Sequence, residues 1–156
     1  MIQLDQENPN PAYRCGRLLA VLEQAQRLAI PGVNATIVDR FFGTASSAPA
    51  SVFPRLMRGA QPHLAKLERD RRGAYFALQR RLEEILGGLG LTKVGALYSG
   101  FPNTLTLQEQ GLFSLGYYHQ RAFDRAQAIA AAERRRAGSV EEPEAELTDS
   151  EPPARD

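Results

Sequence analysis

Thr104-Leu105-Thr106-Leu107-Gln108-Glu109-Gln110-Gly111-Leu112-Phe113-Ser114-Leu115-Gly116-Tyr117-Tyr118-His119-Gln120-Arg121 is the stretch whose reading decides the fold. Thr106 is followed three residues later by Glu109, a capping-box signature: the hydroxyl takes a free backbone N–H of the first turn while the carboxylate reaches back. Two adjacent apolar stripes follow at helical spacing. One is Leu112, Leu115, Tyr118 and Ala122; the other is Phe113, Gly116, Tyr117 and Phe123. So wide an apolar face predicts a helix packed against more than one neighbour. Gly111 and Gly116, set beside bulky groups, predict close approaches of other backbones. The stretch therefore reads as the central helix of an all-helical domain. It runs from Leu107 to about Arg136, with Arg134-Arg135-Arg136 at the negative end of the helix dipole and Gly138 past its end.

Working towards the N-terminus, Ala74 to Leu89 is a clear amphipathic helix, with Tyr75, Leu78, Leu82, Ile85, Leu86 and Leu89 at helical spacing and Arg80 and Glu84 paired on the wet side. Gly87-Gly88-Leu89-Gly90 stops it. Leu91 to Asn103 lacks a helical period and reads as a loop that includes a short strand. Ser47 is the expected cap of a helix holding Val52, Phe53, Leu56 and Met57. Pro54 bends or delays it, Gly59 to Pro62 interrupts it, and His63 to Leu67 resumes it, ahead of the charged run Lys66 to Arg72. A shorter helix from about Ala35, capped by Asn34, carries Ile37, Val38, Phe41 and Phe42, and Gly43 to Ser47 is a turn. Asn10-Pro11 opens the first helix, which runs to Ala29 with Cys15, Leu18, Leu19, Leu22, Ala25 and Ala29 on one face. The whole is a compact all-α bundle of about five helices with a long C-terminal helix. It forms one domain over residues 1–136, followed by an acidic tail over 137–156.

That division rests on charge. Residues 1–136 carry 18 of the 19 Lys and Arg but 11 of the 18 Asp and Glu, a net of +7, whereas residues 137–156 carry Arg155 against seven acids, a net of −6. The tail also has three prolines and few large apolar groups, so it is expected to be disordered. In the body only Lys66 and Lys93 are lysines. Arg donates two parallel bonds to phosphate oxygens, although a GC-rich genome also enriches Arg. The chain has no apolar run of membrane-spanning length, its N-terminus lacks a signal peptide's basic and apolar regions, and Cys15 has no internal disulfide partner, which together favour the cytoplasm.

Little in the sequence points to catalysis. Two histidines, His63 and His119, and one thiol, Cys15, have no metal-ligand spacing. Cys15 falls on an apolar helix face, where an inert thiol is the default, and His119 sits between apolar stripes as a hydrogen-bonded, partly buried histidine. Gly88-Leu89-Gly90 follows a helix rather than a strand, so it is no dinucleotide loop. A non-enzymatic protein with neither cofactor nor metal is expected. The basic residues leave two readings open: salt-sensitive nucleic-acid binding, or a solvated face with local ion pairs. The candidate nucleic-acid contacts are Arg55, Arg58, Arg71, Arg72, Arg80 and Arg81, which lie on faces without large apolar groups, followed by Arg14, Arg17, Arg121 and Arg125. Arg14 and Arg121 are also candidates for structural ion pairs with Asp39 or Glu109.

Several blocks resemble, in order, the C-terminal region of the large subunit of the type I-C CRISPR Cascade complex. They are Leu4-Asp5, Asn8 to Leu18 (N-P-N-P-A-Y-R-C-G-R-L), Asn34-Ala35-Thr36-Ile37, Asp39-Arg40-Phe41-Phe42-Gly43, Ala45-Ser46-Ser47, Val52-Phe53-Pro54-Arg55-Leu56, Gln110-Gly111 and Gly116-Tyr117-Tyr118-His119-Gln120-Arg121. The likeness covers about residues 4–125 and stops short of the alanine-rich extension and acidic tail. It implies a separate small subunit made by internal translation initiation from the same gene, or a recombinant fragment of that region, without the large N-terminal part that reads the protospacer-adjacent motif. The implied role is non-catalytic. Small subunits of this kind sit in more than one copy along the crRNA-bearing backbone subunits, beside the large subunit, and help hold the displaced non-target DNA strand so that the R-loop persists. A purely structural spacer is the alternative.

Overall fold

The structure, a computed structural model, describes residues 3–95 and 97–140. Its elements are α1 (Pro11–Ala29), α2 (Ile37–Ser47), α3 (Pro49–Asp70), α4 (Arg72–Leu89), the strands β1 (Thr92–Val94) and β2 (Leu97–Ser99), and α5 (Leu107–Val140). The fold is essentially all-α, with five helices and a long C-terminal one, as the sequence predicts. The chain divides into two compact units, Met1–Asp124 and Arg125–Asp156. The acidic tail from residue 141 onward lies outside the described residues, and residues 137–140, assigned to that tail from sequence, continue α5.

The centre of the first unit is α1 rather than the stretch that begins at Thr104. Fourteen of the 19 residues of α1 are buried, including Arg14, Arg17 and Glu23, and it packs on α2, α3 and α4. Asn10 caps it by accepting from the Ala12 and Tyr13 N–H groups, with Pro11 next, where a missing N–H costs nothing. On α5 only the stripe of Phe113, Gly116, Tyr117 and Gln120 is buried. The other stripe is largely outside: Leu115 and Tyr118 are exposed, as is Ala122. Of the two glycines expected at close approaches, Gly116 is one, but a Cβ on Gly111 would meet nothing. A Cβ on Gly116 would overlap the Tyr13 carbonyl, and one on Gly16 would overlap the Phe113 carbonyl. The two backbones touch at this reciprocal glycine crossing.

Local chemistry explains the other boundaries. Thr106 and Glu109 form the expected capping box, with the Thr106 N–H donating to Glu109 Oε1 at 3.1 Å and the Glu109 N–H to Thr106 Oγ1 at 3.2 Å. The cap of α2 is Thr36 rather than Asn34: its N–H donates to Asp39 Oδ2 at 2.8 Å, and its Oγ1 accepts from the Val38 N–H. Gly43 to Ser47 is helical, and Ser47 does not cap α3; its hydroxyl donates back to the Gly43 carbonyl. Pro49 starts α3, which runs unbroken through Pro54, Gly59 and Pro62. Both internal prolines stand off the buried face formed by Val52, Phe53, Leu56, Ala60, Leu64 and Leu67, so packing holds the helix where propensity would end it.

Gly90, with φ +63, ends α4 in the left-handed conformation. A hairpin follows, with Thr92 opposite Ser99 and Val94 opposite Leu97; Gly95, at φ +61, takes the left-handed backbone its short turn needs. The segment before α5 is pinned by Ala50 N–H to Pro102 O and Leu105 N–H to Ser47 O, and by Phe101 stacked on Phe53 at 5.2 Å.

Candidate nucleic-acid interface

The charged side chains sort into an inner and an outer set. Arg17 has 0 % of its side chain exposed. Its Nη1 and Nη2 donate to the two oxygens of Glu84 on α4 at 3.2 and 2.6 Å, and its Nε donates to Gln120 Oε1 on α5 at 2.9 Å. Gln120 passes the network on to Asp124, which also accepts from Arg81 at 3.0 Å. Burial raises the Asp124 pKa above the ordinary carboxylate range, and Arg81 opposes that. Glu84 therefore serves Arg17, not the helix-surface pair with Arg80 expected from spacing. Glu23 is buried too: it accepts from the Tyr117 hydroxyl at 2.7 Å and from the Thr36 hydroxyl at 2.5 Å. Burial, then the hydrogen bond to Glu23, pushes the Tyr117 phenol well above its usual range.

Arg14 is buried against Gly88, where a Cβ would overlap its guanidinium; it donates to the backbone carbonyls of Glu84 and Gln6 at 3.4 Å. Its cation thus sits towards the carbonyl end of α4, the favourable end of that helix for positive charge. The partners suggested by sequence, Asp39 and Glu109, are not those of Arg14 or Arg121. Arg121 donates instead to the Tyr117 hydroxyl at 3.4 Å. Arg81 is half-buried, with its guanidinium 4.7 Å from the centre of the Phe123 ring. Arg14 and Arg17 thus face inward, and Arg81 is largely committed to Asp124.

The outer set is centred on α3. Arg55, Arg58, Lys66 and Arg69 are all exposed. At about 100° per residue they fall within an arc of about 80°, spread over about 21 Å of helix. Ser51, Gly59 and Pro62 fill the same face, so no carboxylate interrupts it. Among the described residues Arg55, Arg58, Lys66 and Arg69 form no ion pair, although Lys66 donates to the Ala29 carbonyl at 2.7 Å and so closes the end of α1. Arg71 lies at the junction of α3 and α4, and Arg72 and Arg80 are exposed on α4, where they share a face with Phe76 and Glu83. Arg125 is exposed in the second unit. The sequence pool is therefore divided: Arg55 and Arg58 join Lys66 and Arg69 on one ridge, and the others stand elsewhere.

A cleft of about 260 Å³ opens beside this ridge, between α1, α2 and α3. Leu22, Ile37, Phe41, Leu56 and Ala60 form its apolar wall, and Gln26, Arg40, Arg55 and His63 supply its polar groups. The Arg55 guanidinium lies over the Phe41 ring, 5.5 Å from its centre. Arg40, Phe41 and His63 were not among the sequence candidates, because they come from different helices and no spacing along the chain connects them. A larger cleft of about 470 Å³ lies between α3, α4 and the hairpin, but Glu68 and Glu83 line it, which suits an anionic ligand poorly.

The remaining reactive groups are held inside. Cys15 is buried, and burial alone pushes its thiol from 9.0 to about 12. His119 Nδ1 lies 2.9 Å from the Tyr13 hydroxyl, which itself accepts from the Asp5 N–H at 3.1 Å. The hydroxyl proton is thus free to point at Nδ1, which assigns the ring proton to Nε2. Among the described residues no group of three His, Cys, Asp or Glu side chains is placed to hold a metal ion, and no helix is long and apolar enough to cross a membrane.

An all-helical unit with paired charges inside and a bare basic ridge outside is the architecture of a binding subunit, and comparison with known families agrees in kind. The model of a family described as CRISPR-associated protein (Cas_Csd1) matches residues 1–123. The chain belongs to that family. The matched segment stops one residue short of the boundary of the first compact unit. No curated protein sequence matches the chain.

Proposed function

We propose that this chain is the non-catalytic small subunit of a type I-C Cascade complex. In this reading it packs along the crRNA-bearing backbone subunits and the large subunit, with further copies of itself, in the cytoplasm, and holds the displaced non-target strand to stabilise the R-loop. The observation that carries the reading is the α3 ridge: four exposed cations with no acid among them, on a member of a CRISPR-associated family. Exchange of a DNA duplex for a heteroduplex is nearly balanced, so modest contacts to the freed strand decide whether it persists. Arg55 and Arg58 remain as contacts from the sequence pool, Lys66 and Arg69 join them, and Arg71, Arg72 and Arg80 extend the set on the neighbouring helix.

A second reading, a structural spacer, is favoured by α5. Leu107, Leu115 and Tyr118 lie on one face of that helix, 86, 50 and 58 % exposed, and suit packing against another protein. The experiment is co-purification with the backbone subunits and crRNA, followed by target-DNA binding with and without this chain. Loss of stable R-loops on omission supports the first reading, and full binding without the chain overturns it. Normal assembly and R-loop formation after charge reversal on α3 supports the spacer.

A further inference from the structure

We propose that the cleft between α1, α2 and α3 takes one splayed nucleobase of a single DNA strand whose phosphates run along the α3 ridge. This rests on the reading of the ridge as a strand-binding surface and adds what that surface recognises. Phosphate contacts need only exposed cations; a base needs a flat apolar surface with hydrogen-bonding groups at its edge. The cleft has both. The Phe41 ring and the guanidinium laid over it at 5.5 Å are planar groups of the kind on which bases stack. Gln26 gives its Oε1 to the Ile37 N–H at 2.8 Å, and among the described residues its NH₂ group donates to nothing. His63 supplies ring nitrogens. Arg40 and Arg55 at the mouth favour a phosphate beside the base, and no carboxylate lines the cleft. Arg55 belongs to both surfaces, so the strand on the ridge passes the cleft entrance.

Gly59 provides the test. It lines the cleft between Arg55 and His63 on the same face of α3, and a Cβ there meets nothing within 4 Å. Gly59→Met fills the mouth without removing a charge, and Met is a better helix former than Gly. Single-stranded oligonucleotides with normal bases and with abasic sites are titrated at low salt against the full chain and against Gly59→Met. The full chain should bind the abasic strand about tenfold more weakly, the loss of roughly one stacked base. Gly59→Met should bind both strands as the unsubstituted chain binds the abasic one, with the same salt slope, and should no longer quench 2-aminopurine placed in the strand. Equal binding of both strands by the unsubstituted chain overturns the base site and leaves the ridge reading standing. Discrimination that persists in Gly59→Met also overturns it. Unchanged DNA binding with lost co-purification of the backbone subunits gives the cleft to a protein segment instead. Failure to bind either strand overturns the ridge reading and the base site together.

Discussion

Arg17 on α1 and Arg58 on α3 are the same side chain on consecutive long stretches of one small helical unit, yet their surroundings are opposite. Arg17 is sealed by Glu84 and Gln120 from two other helices, while Arg58 stands in water with its neighbours Arg55 and Arg69. The glycines divide in the same way: Gly16 on α1 is pressed against the Phe113 carbonyl, and Gly59 on α3 faces open space. A charge or a glycine therefore carries no fixed meaning in this chain. Its meaning comes from whether its helix is enclosed by others or closed on one side only. The enclosed helix uses its arginines for register and closure, and the one-sided helix leaves its arginines available to a partner.

The comparison can be broken most severely at the glycine crossing. Gly16→Ala should lower stability by about 3 kcal/mol or more, the top of the overpacking range, because the added methyl meets backbone that cannot rotate away. Chemical denaturation checks this, and a neutral effect would mean that α1 and α5 do not touch there. Next comes Glu84→Ala, which strands the buried Arg17 charge. Breaking a fully buried pair costs about 3–5 kcal/mol, and here about 2–3 is expected because Glu84 is itself 36 % exposed. Arg17→Met should cost less than Glu84→Ala, since the carboxylate left behind can hydrate.

The thiol gives a smaller effect with a defined sign. Cys15 is raised on folding, so the stability it contributes is complete below pH 9.0 and is lost as pH rises towards about 12. Between those values stability should fall by about 1.4 kcal/mol per pH unit from this group, and Cys15→Ala should remove that part of the slope in a pH series of unfolding curves. The smallest effect is on the outer helix: Gly59→Ala should raise stability by about 0.5–1 kcal/mol, the helix-propensity gain with nothing to clash against.

Much of this fold was legible where the determining partners lie within a few residues. Asn10-Pro11 and the Thr106–Glu109 box are complete local signals, and both helices begin where those signals place them. The buried character of α1 was not legible. Its apolar residues mark one face, but Arg14, Arg17 and Glu23 read as solvent-facing until partners as distant as Glu84, Tyr117 and Gln120 are brought to them. The unbroken course of α3 was hidden for the same reason, because Pro54, Gly59 and Pro62 are local stop signals overruled by packing. The ridge was half legible. Arg55 and Arg58 stand one turn apart and were identified by that spacing, whereas Lys66 and Arg69 join them only because the helix does not stop. The cleft had no linear signal at all, since Gln26, Phe41 and His63 come from three helices.

The contrast between sealed and bare arginines is tested most directly by reassembling the complex with Arg55→Glu/Arg58→Glu/Arg69→Glu and measuring target-DNA affinity as a function of salt. These residues pair with nothing inside, so the thermal midpoint of the chain and its assembly should be unchanged. Affinity should fall, with a log–log salt slope shallower by about 2, the share of three phosphate contacts on a single strand. An affinity and slope identical to those of the unsubstituted complex would contradict the account.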